Sequence, residues 1–134
     1  MKITIEHIGL PANNAIALKD WYVATLGAKV IFAVNETSTF FVGLAGGVFE
    51  IYPSTRHIGD TSDNKLAGFR HIALRVDSID TARKELEHKG VKFTEPARAA
   101  AGGGNVHFFP DPEGNLLHLL ERPSDSPYEK AVKH

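Results

Sequence analysis

Glu6-His7-Ile8-Gly9-Leu10 and Arg70-His71-Ile72-Ala73-Leu74 are two versions of one stretch. Each places a histidine inside an otherwise apolar, β-rich run. His7 and His71 are 64 positions apart in a chain of 134 residues, so the motif recurs once per half. A duplicated histidine strand predicts a duplicated fold, and the remaining letters test it.

Working outward from the first copy, Ile3 to Leu10 reads as a strand closed by Pro11. Asn13 or Asn14 can cap a helix over Ala15 to Leu26, with Leu18, Trp21, Tyr22 and Leu26 on its apolar face and Gly27 as its stop. Strands follow at Lys29–Val34, Thr39–Leu44 and Val48–Tyr52, with Pro53 as the end. Residues 54–67 are polar and read as a linker. From the second copy, Phe69–Val76 is a strand and Ser78 caps a helix bearing Ile79, Ala82 and Leu86. Strands are expected at Val91–Phe93, Asn105–Phe109 and Leu116–Glu121. Ala97–Gly104 is expected to be a mobile loop over the site, and the tail from Arg122 a loosely held polar extension.

Both halves are therefore β-α-β-β-β. Leu26-Gly27-Ala28-Lys29-Val30 aligns with Lys89-Gly90-Val91-Lys92-Phe93, and Gly46-Gly47-Val48-Phe49-Glu50-Ile51 aligns with Gly114-Asn115-Leu116-Leu117-His118-Leu119. The expected fold is α+β: two βαβββ modules forming a curved mixed sheet around a concave site. One domain spans 1–134, with module 1 at about 1–53, the linker at about 54–67, module 2 at about 68–122 and the tail at about 123–134. Neither half is long enough to hold a good core alone.

The repeat aligns four polar positions, His7 with His71 and Glu50 with His118. Strand alternation places Phe49 and Ile51, like Leu117 and Leu119, toward the helices, and Glu50 and His118 on the opposite face. Ile8 and Leu10, like Ile72, Leu74 and Val76, do the same for His7 and His71. Three imidazoles and one carboxylate on one face suit a divalent transition metal. His107 is divided between cavity and solvent, and His57, His88 and His134 read as surface residues. The run Gly102-Gly103-Gly104 precedes a strand and lacks a Lys-Ser/Thr pair, which argues against phosphate binding.

Composition narrows the partners. Net charge is −1 with pI near 6.6, which gives no electrostatic reason for nucleic acid or an anionic membrane. There is no cysteine, so any metal must be held by His and carboxylate. No secretory signal pattern or spanning segment is visible, and a cytoplasmic protein is expected.

With Glu6-His7-Ile8, Val48-Phe49-Glu50-Ile51, Arg70-His71-Ile72-Ala73-Leu74 and Asp111-Pro112-Glu113-Gly114-Asn115, the chain resembles the vicinal oxygen chelate superfamily over residues 1 to about 122. That superfamily includes glyoxalase I, methylmalonyl-CoA epimerase, extradiol dioxygenases, fosfomycin-modifying transferases and bleomycin-binding proteins. The resemblance implies His7, Glu50, His71 and His118 as ligands of a divalent metal ion (Ni, Zn, Fe or Mn), a small-molecule substrate and a homodimer. Glu50 is then the candidate general base, since a carboxylate beside a metal can leave the coordination sphere and take a proton. The family usually has a glutamate where this chain has His118; Glu121 is nearby but of opposite strand parity. Glyoxalase I usually carries an arginine after the first histidine and an asparagine after the first glutamate, for glutathione. Here those stretches read Ile8-Gly9-Leu10-Pro11 and Ile51-Tyr52-Pro53-Ser54, which argues against glutathione as co-substrate. The expected activity is that of a metal-dependent lyase or isomerase; the alternatives are an iron-dependent dioxygenase and a non-enzymatic drug-binding protein.

Overall fold

The computed structural model describes residues 1–57 and 62–132. The chain divides into two compact units, Met1–Gly59 and Asp60–His134, with the division inside the expected linker. The fold class is α+β, and each unit is a four-stranded mixed sheet with a helix against it. No helix among the described residues is long and apolar enough to cross a membrane.

In the first unit, β1 (Ile8–Ala12), α1 (Ala15–Leu26), β2 (Lys29–Val34), β3 (Thr39–Leu44) and β4 (Gly47–Pro53) form a sheet in the order β1-β4-β3-β2. β1 runs parallel to β4, and the other pairs are antiparallel. The Asn14 side chain accepts the Ala17 N–H at 3.0 Å, and Gly27 ends α1 in the left-handed conformation (φ 74°). Helix packing seals Leu18, Tyr22, Val42, Phe49 and Ile51 from water. The strand expected over Ile3–Leu10 is displaced: it begins at Ile8 and runs through Pro11 to Ala12. Proline is tolerated because β1 is an edge strand, where one row of N–H groups has no ladder partner.

The second unit repeats this plan. β5 (His71–Arg75), α2 (Ile79–His88), β6 (Arg98–Ala99), β7 (Asn105–Pro110) and β8 (Leu116–Glu121) give the order β5-β8-β7-β6, with β5 parallel to β8. The Ser78 hydroxyl accepts the Thr81 N–H, and Phe109, Leu117, Leu119 and Leu86 fill the core. The Asp111 carboxylate accepts N–H groups of Glu113 and Asn115, which clamps the β7–β8 turn.

Three expectations for this unit are corrected. Val91–Phe93 is not a strand: the Val91 amide donates back to Leu86 O in the helix C-terminal turn, and the short β6 forms later at Arg98–Ala99. The glycine run is not a free loop. Arg122 Nη1 donates to Ala101 O at 2.8 Å and Gly103 O at 2.6 Å, and the Tyr128 N–H donates to Gly102 O. The tail is not loose either, since Pro127–Val132 forms a helix, α3, tied by an Arg75–Glu129 ion pair at 2.5 Å and by Arg122 over the Tyr128 ring.

Candidate metal centre

The two units present their polar positions in matching registers. Gly9 pairs with Glu50 across β1 and β4, and Ala73 pairs with His118 across β5 and β8. Paired residues share a face, so His7, two residues before Gly9, lies on the Glu50 face, and His71 likewise on the His118 face. The third strand adds a matched aromatic: Phe41 pairs with Glu50, and Phe108 with His118. His7 meets Phe41 edge-on with ring centroids 5.4 Å apart, and His71 meets Phe108 edge-on at 5.9 Å. These phenylalanines were missed in the sequence, although aligning Phe40-Phe41-Val42 with His107-Phe108-Phe109 would have found them.

In the first unit His7 Nδ1 lies 2.7 Å from Glu6 Oε1, and His7 Nε2 faces Glu50 Oε1 at 3.6 Å. In the second unit His71 and His118 have ring centroids 4.8 Å apart. His71 Nδ1 is 2.7 Å from Asn64 Oδ1, and His118 Nδ1 is 3.3 Å from Leu119 O. Each Nδ1 thus has an oxygen partner within hydrogen-bonding distance, which fixes the orientation of the ring. Metal-bound imidazoles are held in the same way, their second nitrogen fixed by an oxygen acceptor. The donor set therefore fits a divalent cation. In the first unit, His7 Nε2 and the Glu50 carboxylate oxygen face each other at 3.6 Å, two donor atoms that one cation could share. Among the described residues, no group of three or more His, Asp or Glu side chains is placed so that it could hold a metal ion, so the candidates stand as two pairs.

Burial lowers the His118 pKa from its ordinary 6.5, working mainly through desolvation, and repulsion from His71, Arg122 and Arg98 adds to it. The Leu119 carbonyl opposes this. A neutral imidazole at neutral pH is the form that can bind a metal.

Glu121 is engaged elsewhere. β8 stays in regular register to its end, and Glu121 Oε1 accepts the Ile79 N–H at 2.7 Å, so the carboxylate caps the N-terminus of α2. His107 faces neither cavity nor solvent. It fills the core position that Phe40 holds in the first unit, its ring 4.5 Å from Phe93, with Nε2 donating to Glu95 O. His57 and His88 are exposed as expected, and His134 lies outside the described residues.

Beside the first pair is an open cleft of about 350 Å³ lined by Glu6, Ile31, Phe32, Phe41 and Val48. Ile31 and Phe32 are 60% and 62% exposed, a large apolar surface beside a polar pair. Alternation along β2 does not announce it, because the register shifts between Val30 and Phe32.

The family model described as Glyoxalase/Bleomycin resistance protein/Dioxygenase superfamily matches residues 4–119. The uncharacterized protein YwkD of Bacillus subtilis (strain 168) is 31% identical over 125 residues, covering 89% of this chain and 97% of its own. Human mitochondrial methylmalonyl-CoA epimerase is 29% identical over 128 residues, covering 88% of this chain and 73% of its own. Among solved structures, a glyoxalase family protein from Enterococcus faecalis is 31% identical with a TM-score of 0.73, covering 88% of this chain and 97% of that one. Matched by the family model over most of its length, the chain belongs to the Glyoxalase/Bleomycin resistance protein/Dioxygenase superfamily.

Proposed function

We propose that the protein is a divalent-metal-dependent lyase or isomerase acting on a small oxygen-chelating substrate, with His7, Glu50, His71 and His118 as the metal ligands. The observation that carries this reading is the shared placement of the three imidazoles: each has its Nδ1 beside an oxygen partner, the way metal-bound histidines are held from behind.

A divalent metal bound there supplies Lewis-acid polarisation of a substrate oxygen. Glu50 is the base: its carboxylate takes the proton from the carbon next to that oxygen and holds it. Glu6 orients the His7 ring from behind, and Asn64 does the same for His71. The apolar cleft beside His7 accepts a non-polar part of the substrate and excludes water from one side of it. Similarity to methylmalonyl-CoA epimerase supports a reaction in which a proton is removed and returned. With His118 where a second carboxylate is usual, only one carboxylate base is available, which favours one-base chemistry.

A homodimer is part of the same proposal. The ligands come as two pairs, His7 with Glu50 and His71 with His118, so a full set requires a pair from each unit, from one chain or from two copies. Metal analysis of protein purified without a histidine tag tests the reading. About one Ni, Zn, Mn or Fe per full ligand set is expected, lost in His7→Ala and in His71→Ala; a wild-type protein that takes up none of these metals would overturn it. Mixing the two variants distinguishes the assemblies. Exchange between copies restores one full ligand set per mixed dimer, whereas sites built within single chains stay empty.

A further inference from the structure

We infer that Tyr52 is a ligand-binding residue of this site, a neutral hydrogen-bond donor to an oxygen of the bound substrate, and that Gly9 is glycine to make room for it; this rests on the metal-enzyme reading above. Tyr52 is two residues beyond Glu50 on β4, so both side chains leave the same face, while Ile51 between them is fully buried toward α1. The phenol leans over β1. A Cβ built on Gly9 would lie 3.3 Å from the Tyr52 hydroxyl oxygen and 3.5 Å from a ring carbon. Gly9 is the register partner of Glu50, so the hydroxyl sits on the strand next to Glu50. His7 is two residues back from Gly9 along the chain, just before β1 begins.

Gly9 does not have the positive φ that would require a glycine. Its counterpart Ala73 carries a Cβ at the same register position, where the residue matching Tyr52 is Leu120. What separates the two positions is space: the tyrosine side needs it and the leucine side does not. No described residue hydrogen-bonds the Tyr52 hydroxyl, so its proton is available to a ligand. The polar asymmetry of the site therefore extends past Glu50 against His118. The first unit offers a carboxylate and a phenol on one face, and the second an imidazole and a leucine. An oxygen that gains negative charge as Glu50 removes a proton would meet a preplaced donor there.

The test uses acetohydroxamate, a bidentate oxygen chelator, as probe on the Mn(II)-loaded full chain, with binding followed by calorimetry. Mn(II) affinity is measured first, without probe. Tyr52→Phe should leave Mn(II) affinity within about twofold and weaken acetohydroxamate binding at least about tenfold, the scale of a hydrogen bond to a charged acceptor. Gly9→Ala should weaken probe binding in the wild-type background and add little in the Tyr52→Phe background, because the methyl acts by displacing the hydroxyl. Equal probe affinity in wild type and Tyr52→Phe, with Mn(II) bound by both, overturns the role of Tyr52 alone. A full Gly9→Ala effect in both backgrounds overturns the spacing argument. A wild-type chain that binds no metal overturns the reading of the site, and the Tyr52 role with it.

Discussion

His7 Nε2 stands 3.6 Å from Glu50 Oε1 while the other nitrogen of the same ring is held by Glu6 at 2.7 Å. The ring is thus oriented from behind by Glu6 and faces Glu50 in front. Two kinds of substitution should separate orientation from ligation. His7→Ala and Glu50→Gln remove proposed ligands and should abolish stoichiometric metal. Glu6→Gln keeps both but weakens the acceptor behind the ring, and should cost about 10-fold in metal affinity. Metal titration of the three variants checks this; equal losses would mean that Glu6 is itself a ligand.

Glu121 and His118 should behave oppositely. Glu121→Ala removes the acceptor for the Ile79 N–H and the negative charge at the start of α2, and should cost about 1–2 kcal/mol of stability. Metal content should be unchanged. His118→Ala should lose metal. Denaturant midpoints together with metal analysis decide between them, and metal loss in Glu121→Ala would return it to the ligand set.

Stability of the metal-free protein should depend on pH through His118. Its folded pKa is lowered, so the unfolded chain takes up a proton at higher pH than the folded chain does. The contribution is complete above the ordinary value of 6.5 and is lost as pH falls from there through the folded pKa. Urea midpoints of apo protein from about pH 8 to about pH 5 should fall, and His118→Phe should flatten that part of the profile.

Gly104 should be far less replaceable than Gly27. Both have positive φ, 91° and 74°. A Cβ on Gly104 would sit 2.0 Å from the backbone oxygen of Glu121, whereas one on Gly27 meets nothing within 4 Å. Gly27→Ala should cost about 1 kcal/mol, the conformational term alone. Gly104→Ala adds a backbone collision and should cost more than about 3 kcal/mol, read from the urea midpoint.

The element order was legible because its signals are local. Asn14 and Ser78 as helix caps, Gly27 as a stop and Asp111-Pro112-Glu113-Gly114 as a turn each act within four residues. Errors fell where distant partners decide. Ile3 to Glu6 has a strand's alternation, yet it finds no ladder partner among the described residues. Gly102 and Gly103 look unconstrained until Tyr128 and Arg122, some 20 residues or more on, are seen to bind them.

The sequence alone determined the duplicated βαβββ plan and the four aligned positions, His7, Glu50, His71 and His118, because strand alternation and a repeat are one-dimensional properties. Only the tertiary structure decided what those positions can do. It set the oxygen partner beside each Nδ1, sent Glu121 to a helix end and His107 to the core, and laid Tyr52 over Gly9. Each depends on a side chain's reach across strands or helices to a residue remote in the chain, and spacing along the sequence carries no record of that.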